Sequence, residues 1–126
     1  MGLRHAMGPV VAALGIGALV GCAAGPIAGR LVLPDQPPQP VTLTYASSLF
    51  GGSGTLSADL PGGEHFAGTY VLMPYAAEHH IVSTLEGDRG RSMVCRFRLK
   101  EPGIGPDKGG AGRCQLSRGG FIDTEF

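Results

Sequence analysis

The chain predicts an all-β domain, a small antiparallel barrel or sandwich of six to seven strands, behind an apolar N-terminal helix and a Pro-rich tether. Three observations predict it. From Val41 onward the apolar runs are short and broken by glycine, and no segment keeps a helical period for three turns. Between Arg91 and Lys100, Met93, Cys95, Phe97 and Leu99 alternate with Ser92, Val94, Arg96 and Arg98, the period of two of a strand with one face in a core and one in water. Near the end, Arg118-Gly119-Gly120 parts two alternating arms with glycines able to take the positive φ of a tight hairpin.

The elements follow in order. An apolar run begins at Val10 and closes at Leu19-Val20-Gly21-Cys22, after a start that carries Arg4. Ala23 to Pro40 holds Pro26, Pro34, Pro37, Pro38 and Pro40 and reads as an unfolded tether, because proline removes ladder donors and favours extended chain. Its eighteen residues, at about 3.1 Å each, reach on the order of 50 Å. Val41, Leu43, Tyr45 and Leu49 alternate with Thr42, Thr44 and Ser48 in a first strand, and Leu56, Ala58 and Leu60 define the next, ended by a turn at Pro61-Gly62-Gly63. Glu64 to Met73, apolar on both faces toward its end, reads as a central strand, and Ile81 to Leu85 as the one after it. In the last hairpin Cys114 and Leu116 face the core with Ile122, Thr124 and Phe126, while Asp123 and Glu125 point outward to Arg96, Arg98 or Arg113. Glu101 to Arg113 reads as a flexible glycine-rich connection.

The front of the chain resembles a bacterial lipoprotein signal peptide. A charged start, an apolar core and small residues before the cut are what the export machinery reads, and Leu19-Val20-Gly21-Cys22 matches the lipobox of that family at all four positions. The resemblance covers the first 22 residues. It implies a signal peptide over residues 1–21, cleavage before Cys22 and fatty acylation of that cysteine, so that residues 22–40 form a lipidated tether and residues 41–126 the β-domain. A second reading is an uncleaved anchor. Ala6 to Gly29 carries no charge, and Gly17, Gly21, Gly25 and Gly29 have the four-residue spacing of close-packed membrane helices, although Pro26 weakens a continuous helix. Both readings send the rest of the chain out of the cytoplasm. With Ala23 and Ala24 after Cys22, where an Asp marks inner-membrane retention in enterobacterial lipoproteins, the resemblance favours the outer membrane.

The remainder, with Gly87-Asp88-Arg89-Gly90 ahead of Met93-Val94-Cys95 and Gly112-Arg113-Cys114 ahead of a Gly-Gly hairpin, is similar to small β-rich proteobacterial lipoproteins that carry no assigned activity. Lysozyme-inhibitor lipoproteins share the size, anchor and strand content. Their Ser-Gly-x-x-Tyr loop has no match here. In the oxidising compartment that the signal implies, Cys95 and Cys114 form an even pair once Cys22 is assigned to lipid, and a disulfide between them is expected to contribute about 3 kcal/mol. The other reading is two buried free thiols. No Cys-x-x-Cys supports redox catalysis.

Composition narrows the function. The chain of 126 residues has a formal net charge of +0, and loss of Arg4 leaves nine basic against ten acidic side chains, so no broad basic surface is expected to hold nucleic acid. Catalysis is not expected. Ser53, His65 and Asp59 offer a triad's residue types, but Gly51-Gly52-Ser53-Gly54-Thr55 is not a nucleophile elbow, and Lys108 lacks the spacing of a phosphate-binding loop. Expected instead is an envelope lipoprotein that faces the periplasm, held to the membrane by lipid on Cys22, with no other cofactor, its β-domain binding a protein or envelope component. The alternative is a small-ligand or metal-binding domain that uses a barrel mouth and His65 with His79 or His80, with Glu64 and Glu78 nearby. Opposed to it is a plain solvated turn over Tyr75 to His80.

Overall fold

The computed structural model describes residues 23–49 and 51–126; the lipobox Leu19–Cys22 and the segment before it lie outside the described residues. Among the described residues eight strands run β1 Ala24–Val32, β2 Gln39–Ser47, β3 Ser53–Asp59, β4 His65–Val71, β5 Ile81–Gly87, β6 Ser92–Leu99, β7 Gly110–Leu116 and β8 Phe121–Glu125. Each pairs antiparallel with the next, and β1 pairs with β8 from Gly29↔Thr124 to Val32↔Phe121. The result is a closed up-and-down barrel. Closure leaves the sheet without free edges along the paired lengths, the hazard that open sheets must otherwise cover.

The small antiparallel barrel is as expected, with eight strands in place of six or seven. The additional strand corrects the tether. Residues 24–32 are not a spacer; they form β1, and the barrel begins at Ala24 and not at Val41. Ile27 and Leu31 are buried on its inner face, but the inward positions between and before them are Gly29 and Gly25. A methyl group on Gly29 would strike Ile122, and one on Gly25 would crowd the Tyr45 ring. The inner face therefore carries glycines where the barrel is tight, and the apolar alternation that marks a strand is hidden. Pro26 sits opposite Thr44 in the part of β1 that β8 does not reach, an edge position where a missing N–H donor is tolerated. Pro34, Pro37 and Pro38 fall in the β1–β2 turn. Gly25 and Gly29 thus belong to a strand and not to a close-packed membrane helix.

Side chains fill the interior. Phe66, Phe97, Ile27, Leu31, Leu43, Leu56, Ile81, Leu85, Met93 and Ile122 are fully buried, packed like the inside of a small barrel and not like a cup. Cys95 and Cys114 face each other in register across β6 and β7, and their sulfurs are bonded. The strand expected between Arg91 and Lys100 runs from Ser92 to Leu99 with Met93, Cys95, Phe97 and Leu99 buried. Glu64 to Met73 is not a central strand, since a closed barrel has none: β4 stops at Val71, which is exposed, as are Met73 and, beyond the end of β2, Leu49. The β6–β7 connection is shorter than expected. It holds a single 3-10 turn at Pro106–Lys108, and Gly110 to Arg113 already lie in β7.

Antiparallel order gives the barrel two unlike ends. The β1–β2, β3–β4, β5–β6 and β7–β8 turns lie at one end. The start of β1 and the β2–β3, β4–β5 and β6–β7 connections lie at the other.

Candidate functional site

The barrel brings together an arginine face on β6 and β7. Residues alternate across a strand, so burial of Cys95, Phe97 and Leu99 turns Arg96 and Arg98 outward, and burial of Cys114 and Leu116 does the same for Arg113 and Gln115. Register sets Arg96 directly opposite Arg113. Like charges directly opposite each other on a sheet destabilise it. Arg113 is held on its other side: its Nε and Nη2 donate to the Asp123 carboxylate at 2.7 and 3.3 Å, and its guanidinium lies 3.9 Å from the centre of the Phe121 ring. Of the three partners expected for Asp123, it takes Arg113. Arg98 donates to the Ala77 carbonyl at 3.4 Å, whereas Arg96 forms no ion pair among the described residues.

A shallow depression lies over Gly112, rimmed by His79, Arg96, Arg113, Gln115 and Asp123. Gly112 is required there, because a Cβ would collide with the Arg96 carbonyl oxygen and the Phe97 ring. The depression offers a fixed guanidinium beside an uncommitted one. Such a pair suits carboxylate or another anionic group on a partner surface. In the sequence these arginines read as separate outward charges; only the β6–β7 register makes Arg96 and Arg113 neighbours.

His65, His79 and His80 are not brought together. His65 opens β4 at the turn end of the barrel, where its Nδ1 lies 2.7 Å from the carboxylate of its cross-strand partner Asp59. His79 and His80 precede β5 at the opposite end. Seven residues of β5 separate those ends, roughly 23 Å at strand rise, so the ligand set of His65 with His79 or His80 is not assembled. Among the described residues no three His, Cys, Asp or Glu side chains cluster to hold a metal. His80 is not part of a solvated turn: it is buried, and its Nδ1 accepts the Leu99 backbone N–H at 2.8 Å, tying the β4–β5 loop to the end of β6. Tyr75 is fully exposed, as a turn residue would be. The trio Ser53, His65 and Asp59 is likewise split, since Ser53 pairs with Val71 at the far end of β3 and its Oγ donates to Ser48 Oγ at 3.3 Å.

Glu64, in the sequence no more than a possible ligand, is buried beneath the β5–β6 hairpin. Its Oε1 accepts from Arg91 Nε at 2.6 Å, and its Oε2 accepts the backbone N–H groups of Arg89 and Arg91 at 2.9 and 3.1 Å. Burial pushes the carboxyl up, but the Arg91 side-chain hydrogen bond, the Arg91 and Arg89 N–H groups and the Arg91 charge outweigh it and hold Glu64 below the usual glutamate range. Gly87 makes room for it, since a Cβ there would strike the carboxylate. The carboxylate is used up in holding the turn. Compared with family models, curated proteins and solved structures, the chain matches none.

Proposed function

We propose that the protein is a cell-envelope lipoprotein, fastened through a fatty-acylated Cys22 and facing the periplasm, whose barrel binds a protein or other envelope component without catalysing a reaction. The observation that carries this is the lipobox Leu19-Val20-Gly21-Cys22 set directly ahead of a folded domain whose first strand starts at Ala24. The outer membrane is the favoured location, from Ala23 and Ala24. The filled interior supports recognition on the outside of the barrel, and the Arg96–Arg113 depression supports a partner that presents anionic groups. The barrel-mouth and metal alternative finds no such support, with the interior filled by side chains and His65 at the end of the barrel opposite His79 and His80.

Two measurements test this reading. Growth with a labelled fatty acid is expected to mark the wild-type chain and not a Cys22→Ser version; equal labelling or none overturns the anchor. A photo-crosslinking amino acid at position 115, on the rim of the depression beside Arg96 and Arg113, is expected to give a discrete adduct in the native host. The same probe at Thr42, outward on β2 across the barrel, is the control; adducts that do not differ between the two overturn the arginine face.

A further inference from the structure

We infer that the end of the barrel from which the N-terminus leaves docks directly on a lipid surface, with the β2–β3, β4–β5 and β6–β7 loops dipping into the boundary between headgroups and acyl chains. This inference rests on the lipoprotein reading above and specifies how that protein sits. It starts from the distribution of exposed apolar side chains. The large ones among the described residues are Leu49, Val71, Met73, Tyr75, Val82 and Ile104. Leu49 lies in the β2–β3 loop, Val71 closes β4, Met73 and Tyr75 are in the β4–β5 loop, Val82 is the second residue of β5, and Ile104 is in the β6–β7 loop. All six therefore lie at or next to one end. The opposite end presents Asp35, Asp88, Arg89 and Arg118 in its turns. A one-sided apolar rim marks an interaction surface, and Tyr75, with 99% of its surface exposed, has the amphipathic ring that prefers a membrane interface.

The second observation is where the chain before the barrel arrives. The Ala23 carbonyl accepts the Ser47 N–H at 2.7 Å, so the position after Cys22 is already pinned to the end of β2, at the same apolar rim. A lipid on Cys22 therefore enters the bilayer beside the barrel and not on the order of 50 Å away at the end of an extended tether. An uncleaved apolar anchor would arrive at the same place. The partner is a lipid surface because the membrane-inserting part of the chain and the exposed apolar loops converge. The charges in these loops nearly balance, Lys100 and Lys108 against Glu78, Glu101 and Asp107, so contact is expected with zwitterionic as well as anionic bilayers and to survive high salt.

The chain contains no tryptophan, which makes Tyr75→Trp a single fluorescent reporter and Arg118→Trp its control at the far end. The full-length chain is reconstituted in phosphatidylcholine vesicles, with and without brominated acyl chains, and its fatty acid is measured in the same preparation. The Tyr75→Trp chain is expected to emit to the blue and to lose at least half its intensity to the brominated lipid, in low and high salt. The Arg118→Trp chain is expected to be unaffected. Adding Leu49→Ser, Met73→Ser and Ile104→Ser together to the Tyr75→Trp chain is expected to reduce the quenching at least twofold with an unchanged melting temperature. A fatty-acylated Tyr75→Trp chain that stays unquenched sinks the docking and leaves the lipoprotein standing; a Tyr75→Trp chain without fatty acid that is quenched does the reverse. A blue shift that grows with protein concentration in the absence of vesicles assigns the loops to a second copy and overturns the inference.

Discussion

A carboxylate sealed under the β5–β6 hairpin ties stability to pH. Because Glu64 sits below its ordinary value of 4.5, the folded state binds its proton less readily than the unfolded chain, so its contribution is complete above that value and is lost as pH falls through the folded one. Urea denaturation across pH is expected to show this loss in the wild type. Glu64→Gln is expected to be less stable at neutral pH and to depend less on pH below 4.5, because an amide cannot satisfy the Arg91 guanidinium as a carboxylate does. The exposed Arg113–Asp123 pair contrasts with it. Both side chains are about half exposed, so Asp123→Asn is expected to cost only about 0–1 kcal/mol while freeing Arg113 for a partner. The outward direction of Asp123 was legible from alternation. The burial of Glu64 was not, since two backbone amides and an arginine 27 positions later had to arrive before a carboxylate could be buried there.

Strands β6 and β7 form the element on which covalent and charged features converge. Cys95 and Cys114 lie in register on the inner face, one position away from the outward Arg96 and Arg113 pair. Removing the bond by Cys95→Ala with Cys114→Ala is expected to cost about 3 kcal/mol by thermal or chemical melting, and reductant is expected to lower the wild-type melting temperature in the same sense. Gly112 is the second test of this element. Gly112→Val drives a branched side chain inward against the Arg96 carbonyl and Phe97, and is expected to destabilise by about 1–3 kcal/mol on thermal or chemical melting. The sequence made β6 plain, because its inward residues are Met, Cys, Phe and Leu. It hid the start of β7, where Gly110 and Gly112 replace apolar side chains on a strand that approaches its neighbour closely.

Closure by β1 and β8 decides the whole molecule. Deleting residues 24–32 is expected to leave β2 and β8 with unpaired edges and an opened core, read as loss of a cooperative melt and aggregation on size-exclusion chromatography; a spacer could be deleted without effect. The sequence by itself determined the all-β class, most of the inward residues from Val41 onward and the cysteine pair, and it carries the Leu19–Cys22 motif on which the proposed envelope address rests. These are local signals: a period of two, turn glycines and a short contiguous motif. Tertiary structure alone decided that 24–32 is a strand, that His65 and His80 belong to opposite ends, that Arg96 and Arg113 share a surface, and that the exposed apolar side chains gather around the emerging N-terminus. Each of these depends on strand register and on which way a strand runs, and those are fixed only when the eight strands close on one another and the core is filled.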